Sequence, residues 1–297
     1  MTTRRAEVLL LTVTILWGGT FALVKDSVDD ISPSAFVFLR FALAALMTAV
    51  IWPSSWRAMR QPLVGRGLVI GAVYAGGFLL QTIGLTESSA SGSAFITSTS
   101  VVFVPIVSWL LWKRRISGIH GVSIAVVVLG LGLFTRPDLN GFVVGDVLTL
   151  ASAGMWGLYI VLLDRWASAE VIRRDEQHAL VLLQFLVTVA FSAIGGILTM
   201  KTVPTIQIPP QNVLWALGYC SLVATVLATT IQTRYQSYTH PVRAGLIFSI
   251  EPISAAILAV FVFQEHWAMH HTIGAIVLFC GVILSDLYSF LRTSSST

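Results

Sequence analysis

Charged side chains are scarce in this chain of 297 residues: they make up 11% of it, against the roughly 25% of an ordinary soluble domain. Cysteine is scarcer still, and Cys220 and Cys280 both lie in apolar runs, which excludes a disulfide framework. Hydrophobic residues account for 56%, and the mean hydropathy is +0.83. Because so few polar residues cannot cover an apolar core in water, a soluble enzyme and a disordered protein are excluded.

The sequence motifs of several enzyme classes are missing as well. No P-loop occurs, so the chain by itself is not an ATP-driven pump. No HExxH, paired cysteine site or GxSxG supports hydrolysis inside a membrane. His270 and His271 are adjacent and lack a third ligand, which favours a solvated loop pair over a metal site. We therefore expect no enzymatic activity, no cofactor and no metal.

Ten apolar runs follow one another along the chain, separated by charges, prolines and glycines. Each is close to the roughly 20 residues that a membrane-spanning helix needs. The runs predict an all-α membrane protein whose spans cover about residues 6–25, 33–52, 63–85, 89–111, 116–134, 144–163, 178–200, 211–232, 241–263 and 270–290.

The basic residues predict the orientation of these spans. Of the 18 Lys and Arg residues, 14 fall on one side, whereas Lys25, Arg136 and Lys201 fall on the other and Arg40 lies within a span. Cytoplasmic loops carry such an excess, so both termini are predicted to be cytoplasmic in a bacterial inner membrane. The net charge of +4 thus favours a membrane surface over nucleic acid as partner. The Leu85–Ser88 turn is predicted to be periplasmic.

An internal repeat divides the chain into residues 1–136 and 137–297. Ile15-Leu16-Trp17-Gly18 in the first span matches Gly154-Met155-Trp156-Gly157 in the sixth, and residues 108–113 can be aligned with 261–265. Five helices in each half give the halves opposite polarity in the membrane. Inverted repeats of this kind are typical of secondary transporters, which bind substrate near the midplane where the halves meet.

Three short motifs carry a family resemblance: Ile15 to Phe21, Ser34 to Phe41, and Ser249-Ile250-Glu251-Pro252 followed by Glu265. Together they resemble the EamA branch of the drug/metabolite transporter superfamily. The resemblance implies ten transmembrane helices as two inverted five-helix repeats, alternating access, and export of small metabolites or drugs. An exporter of aromatic amino acids is a candidate relative that no motif singles out. The first half departs from the pattern, with Ser100 and Lys113 in place of the proline and the glutamate.

Two charged side chains fall inside predicted spans, where charge is costly and often functional. Glu251 lies about midway along the ninth span; it is either a structural carboxyl between helices or a group that binds a proton or a substrate. Arg40 lies seven residues after Pro33. The favoured interpretation is that it extends outward to Asp26, Asp29 and Asp30; the alternative is that it binds a substrate carboxylate.

Aromatic and polar residues on shared helix faces complete the candidate site. Tyr74, Phe78 and Gln81 are spaced i, i+4 and i+7 on one face, and the matched positions of Trp17 and Trp156 favour a wall of a central cavity. Most small and hydroxyl residues are expected to serve helix packing instead. The candidate substrate-binding residues are Trp17, Tyr74, Phe78, Gln81, Phe95, Thr99, Trp156, Tyr159, Gln232 and Glu251.

The leading hypothesis is a secondary transporter that exports small amphipathic metabolites, with amino acids, including aromatic ones, as the first candidates. Multidrug export of organic cations is the alternative, with Glu251 as counter-charge and the aromatic rings as cation–π partners. A non-transporting sensor or assembly protein is a different class, disfavoured by the short loops. The expected partners are a small-molecule substrate and the lipid bilayer; the sequence predicts neither the oligomeric state nor the coupling ion.

Overall fold

The computed structural model describes residues 2–114, 116–135, 143–168, 172–199, 209–263 and 268–294. All regular elements in these ranges are helices. The first half contains α1 (Thr3–Gly18), α2 (Thr20–Asp30), α3 (Pro33–Ile51), α4 (Ser54–Ala58), α5 (Leu63–Gly84), α6 (Ala90–Ser98), α7 (Ser100–Trp112) and α8 (Gly118–Thr135). The second half contains α9 (Val144–Trp166), α10 (Arg174–Thr199), α11 (Gln211–Ser221), α12 (Ala228–Tyr235), α13 (Pro241–Phe248), α14 (Glu251–Phe263) and α15 (Met269–Ser294).

Ten apolar helical stretches account for the predicted spans. Eight are long and apolar enough to cross a membrane, and the shorter apolar helices Gly118–Phe134 and Met269–Leu284 make up the other two. The prediction of an all-α membrane protein is therefore confirmed. The first stretch is longer than predicted, since Thr3–Asp30 replaces the expected residues 6–25. Glu265, which belongs to the family motif, lies outside the described residues.

Three of the ten stretches are interrupted near their centres. The first breaks at Gly19, between α1 and α2; the fourth breaks at Thr99, between α6 and α7; and the ninth breaks at Ser249 and Ile250, between α13 and α14. The helices resume at Ser100 and Glu251 in the fourth and ninth stretches, which occupy corresponding places in the two halves. Broken helices free backbone groups inside a membrane, so they are tolerated where they lie within protein or line a cavity.

Glycines let helices of the two halves pack closely. A β-carbon at Gly77 of α5 would lie 3.0 Å from the ring of Trp156 in α9, so a larger residue there would displace a candidate site residue. The helices α8 and α15 also pack along each other, and a β-carbon at Gly274 would lie 2.3 Å from the backbone nitrogen of Phe134. Small residues at such crossings allow the backbone contact that holds membrane helices together.

Ion pairs join the halves at the end of the bundle where α1 begins. Arg243 at the start of α13 donates to the Glu7 carboxylate over 2.7 Å, and Arg114 pairs with Asp164 over 3.0 Å. His240 stands beside them and accepts from the backbone N–H of Val242. Its burial, with the nearby charge of His120 and Arg114, lowers the pKa of His240 to about 4, so its ring is neutral at pH 7 and able to accept this bond.

Side-chain contacts also join the halves at the opposite end. The Glu87 carboxylate accepts from the backbone N–H of Gly145 over 3.1 Å, and Ser88 donates to Asp146 over 2.7 Å. Asn212 donates to both Asp26 and Asp30 at 2.9 Å. The loop between α5 and α6 therefore lies against the start of α9, at the end of the bundle away from the start of α1.

The predicted orientation is tested by labelling cysteines in intact cells. We expect Glu87→Cys to react with a membrane-impermeant maleimide from outside and Arg173→Cys to react only after the membrane is opened, because the two positions belong to opposite ends of the bundle. Both variants are made with Cys220 and Cys280 replaced by serine, so that the introduced cysteine is the one labelled. Equal labelling of the two variants in intact cells would contradict the ten-span topology.

Candidate functional site

A cavity opens between the two halves, close to the breaks in the helices. It contains about 600 Å³ of empty space when the open space at its mouth is included. The two halves both contribute to its wall. The residues that line it are Trp17, Thr20, Arg40, Tyr74, Phe78, Gln81, Thr97, Ser98, Ser100, Trp156, Tyr159, Ile160, Gln232, Phe248 and Glu251.

Aromatic rings form one continuous side of this cavity. Tyr74 and Phe78 of α5 lie 4.8 Å apart between ring centroids, and Trp156 of α9 lies 4.8 Å from Phe78 in an edge-to-face arrangement. Tyr159 adds a fourth ring, 5.1 Å from Tyr74. Edge-to-face pairs are favourable because the positive edge of one ring meets the negative face of the next. The rings therefore hold one another in place and leave an apolar surface for a ligand.

The two tyrosine hydroxyls are already hydrogen-bonded to the helices behind them. The hydroxyls of Tyr74 and Thr229 lie 2.8 Å apart, and Tyr159 donates to the amide oxygen of Gln184 over 2.8 Å. Both tyrosines are almost fully buried. Because a buried hydroxyl is costly without a partner, these bonds fix the rings, and the two tyrosines contribute shape and apolar surface rather than free donors.

A π-helical turn at Leu222–Leu227, between α11 and α12, contacts two cavity residues. The indole N–H of Trp17 donates to the carbonyl of Ala224 over 2.9 Å, and Nε of Arg40 donates to the hydroxyl of Thr225 over 2.8 Å. Turns of this type are rare, and they occur frequently at functional sites. The sequence analysis assigned a continuous span to this segment, and no residue pattern in it predicts the turn.

Arg40 faces the cavity, so the interpretation that it extends outward to the aspartates is wrong. Its side chain is buried, with 3% of the residue exposed, and its guanidinium carbon lies 4.6 Å from the centroid of the Phe78 ring. Asp26 and Asp30 accept from Asn212 instead. The bond to Thr225 and the stacking on Phe78 hold the guanidinium inside the protein. The side chain therefore does not extend to water at the membrane surface.

Glu251 is the first residue of α14, directly after the break that follows α13. It is 8% exposed and lines the cavity. Its carboxyl makes no hydrogen bond or ion pair with the described residues. The first half differs, since Ser100 stands there in place of Pro252 and the residue before it is the uncharged Thr99.

Two further polar atoms in the cavity wall are buried without a partner. They are the indole nitrogen of Trp156 and the amide oxygen of Gln232, a donor and an acceptor respectively. Gln232 uses its amide nitrogen to donate to Gln236 over 2.9 Å. The other side-chain amide of the wall belongs to Gln81, whose nitrogen donates to the hydroxyl of Thr97 over 2.9 Å. Buried polar atoms are normally paired, so a donor and an acceptor are available here to a bound molecule.

The structure brings together eight of the ten candidate residues and leaves two out. Phe95 and Thr99 are not part of the lining: Phe95 packs against an apolar cluster, and the Thr99 hydroxyl donates to the carbonyl of Ile96. A binding role for the other eight and for Arg40 stays a prediction. The lining residues that the sequence analysis did not select are Thr20, Thr97, Ser98, Ser100, Ile160 and Phe248. For Thr97 to Ser100 a signal existed, in the run of hydroxyl residues at the helix break.

Comparison with known proteins agrees with this architecture. The sequence model of the EamA-like transporter family matches residues 4–136 and again residues 143–285. The chain belongs to the EamA-like transporter family. It is therefore a multi-pass membrane transporter of the drug/metabolite transporter superfamily and not an enzyme, which confirms the resemblance. The similarity to an exporter of aromatic amino acids stays a prediction.

Relatives from other organisms match over nearly the whole chain. An uncharacterized transporter from Archaeoglobus fulgidus is 30% identical over 95% of this chain and 86% of its own length. A protein of Escherichia coli strain K12 named a probable amino-acid metabolite efflux pump is 24% identical over 95% of both chains. A solved crystal structure with 18% identity has the same fold, with a TM-score of 0.77 over 96% of each chain.

The different bonding of the two tryptophans predicts different effects of the same substitution. We expect Trp17→Phe to lower the melting temperature by about 2–4 °C, because a buried hydrogen bond contributes about 1 kcal/mol. We expect Trp156→Phe to leave it nearly unchanged, because its indole N–H has no partner among the residues that the structure describes. Transport by Trp156→Phe should require a higher substrate concentration, since the free donor is lost.

Melting temperatures of the purified variants and initial rates at varied substrate concentration check this prediction. Trp156→Tyr serves as the control, because it keeps a ring and restores a donor near the same wall. A Trp156→Phe variant with reduced stability and unchanged transport would show that Trp156 serves packing alone.

Proposed function

We propose that this chain is a secondary transporter that exports small amphipathic metabolites, with amino acids, including aromatic ones, as the first candidates. Substrate would cross by alternating access through the cavity between the two halves. The proposal places the protein in the inner membrane of a bacterium with both termini in the cytoplasm. The halves, residues 1–136 and 137–297, would form two inverted repeats around the cavity.

One observation carries the proposal: the cavity combines a continuous aromatic surface with a small set of polar groups. Tyr74, Phe78, Trp156 and Tyr159 contact one another at centroid distances of 4.8–5.9 Å. Arg40 and Glu251 line the same space. A surface of rings suits a flat apolar group, and a few fixed polar groups orient a ligand. That combination matches amphipathic molecules of metabolite size.

The position of the cavity supports a transport role for it. Secondary transporters bind substrate near the interface of their repeats, at helices that are broken in the middle of the membrane. Here residues next to all three breaks line the cavity, namely Thr20, Ser98, Ser100, Phe248 and Glu251. Because both halves contribute to the breaks and to the aromatic side, a rotation of one half against the other would rearrange the whole cavity wall.

The name of one relative supports amino acids as the first candidates. The Escherichia coli protein named a probable amino-acid metabolite efflux pump is 24% identical over 95% of this chain. Organic cations are the competing substrates, because rings and an acidic group attract them. The buried guanidinium of Arg40 in the same lining opposes this alternative, since it would repel a cation in a space with little water.

The test is exchange across liposomes that contain the purified protein and are loaded with unlabelled solute. We expect labelled phenylalanine or leucine to accumulate in liposomes loaded with the same amino acid, and labelled tetraphenylphosphonium not to accumulate in any. Liposomes without protein give the background rate. Exchange of tetraphenylphosphonium alone would establish the cation alternative, and exchange of neither class would contradict the proposed substrates.

A further inference from the structure

We propose that Arg40 and Glu251 bind the two ends of a zwitterionic substrate, the guanidinium holding its carboxylate and the carboxylate holding its ammonium group. This inference rests on the proposed function and specifies the substrate class of that cavity. Molecules with one charge only, whether amines or carboxylic acids, would fit the aromatic surface and leave one of the two protein charges without a counter-charge.

The guanidinium of Arg40 has donors available to a substrate. Of its five N–H donors, the one on Nε is bonded to Thr225. The other four have no acceptor among the described residues. They belong to the two terminal nitrogens, whose parallel N–H groups match the two oxygens of a carboxylate. The bond to Thr225 and the Phe78 ring fix the orientation of the guanidinium before the substrate arrives.

The carboxyl of Glu251 is equally available. It lines the cavity and makes no contact with a cation among the described residues. The backbone that carries Glu251 is held in position, because α14 packs against α1 and α6. The approach is close: a β-carbon at Gly18 of α1 would lie 2.7 Å from the backbone nitrogen of Ala255. A carboxylate held in this way can accept a charge-assisted hydrogen bond from a primary ammonium group.

The two side chains do not pair with each other. No ion pair joins Arg40 to Glu251 within 4.0 Å. Arg40 belongs to α3, which packs on α5, α10 and the π-helical turn, whereas Glu251 belongs to α14, on α1 and α6. They therefore enter the cavity from different groups of helices. A buried carboxyl without a cation takes up a proton rather than staying charged, and the ammonium group of a zwitterion would keep it ionised while the guanidinium binds the carboxylate.

The aromatic side of the cavity completes the fit. Phe78 contacts the Arg40 guanidinium at 4.6 Å and the Trp156 ring at 4.8 Å, so the carboxylate site adjoins the apolar surface. In an α-amino acid the carboxylate, the ammonium group and the side chain diverge from one carbon atom. A cavity with a guanidinium, a carboxylate and a wall of rings offers a partner to each of these three groups.

The experiment compares phenylalanine with its two singly charged analogues in the liposome assay. Phenethylamine lacks the carboxylate, and 3-phenylpropionate lacks the ammonium group. We expect Arg40→Gln to lower the rate of phenylalanine transport about tenfold or more. Phenethylamine should still inhibit the remaining phenylalanine transport, at a concentration within about twofold of that needed for the unaltered protein. We expect Glu251→Gln to lower the rate of phenylalanine transport equally. 3-Phenylpropionate should still inhibit the remaining transport as it does in the unaltered protein. The factor follows from the loss of one charge-assisted hydrogen-bond pair.

Controls separate charge recognition from damage to the fold. Arg57→Gln and Asp29→Asn remove exposed charges outside the cavity and should transport at the rate of the unaltered protein. Arg40→Lys keeps the charge without the fork and should fall between the unaltered protein and Arg40→Gln. If Arg40→Gln fails to fold, the test is made on the melting temperature of the unaltered protein. Phenylalanine should raise this temperature more than either analogue does at equal concentration.

Three results would overturn the inference. The first is an equal loss of phenylalanine and phenethylamine binding in a folded Arg40→Gln variant. The second is a Glu251→Gln variant that transports phenylalanine normally. The third is equal protection of the unaltered protein by all three ligands. The proposed function fails separately, when the unaltered protein exchanges no amino acid; if leucine is exchanged and phenylalanine is not, isoamylamine and 4-methylpentanoate replace the two analogues.

Discussion

Lipid supplies no hydrogen-bond partners, and this constraint governs the structure described here. In the hydrocarbon region every backbone N–H and carbonyl must find a partner inside the protein, so the chain is helical throughout the described spans. The exceptions are the breaks at Gly19, at Thr99 and at Ser249 to Ile250, together with the π-helical turn. All four lie beside the cavity, where protein groups take up the freed backbone atoms: the carbonyl of Ala224, for example, accepts the indole N–H of Trp17.

The same constraint sorts the hydroxyl side chains into two groups. One group donates to the carbonyl one turn earlier in the same helix, as Thr14, Thr48 and Thr188 do at 2.8–2.9 Å. Such hydroxyls are satisfied locally and leave helix surfaces smooth enough for close packing. Thr225 and Thr229 instead bond Arg40 and Tyr74 across helices. These two hydroxyls therefore position side chains of the cavity wall.

The fold could be predicted from the sequence because hydropathy is a property of long segments. Ten apolar runs are recognisable whichever residues they contain, and their charges alternate with the spans. The site was predicted less completely. Matched positions of Trp17 and Trp156 and the spacing of Tyr74 and Phe78 select cavity residues, because helical periodicity places them on one face. The direction of Arg40 was not predictable, since it depends on Thr225 in a distant helix and on a π-helical turn that no sequence pattern announces.

The asymmetry between the halves would let a repeated scaffold hold the proposed substrate, which has two different ends. Helix α7 and helix α14 occupy corresponding places, yet one resumes at Ser100 and the other at Glu251. The buried cation, Arg40, comes from the half that lacks the acid. A symmetric pair of acids would repel each other across a cavity with little water and would favour divalent cations. With an acidic residue from one half and a guanidinium from the other, the lining would offer a partner to each end of the proposed zwitterion.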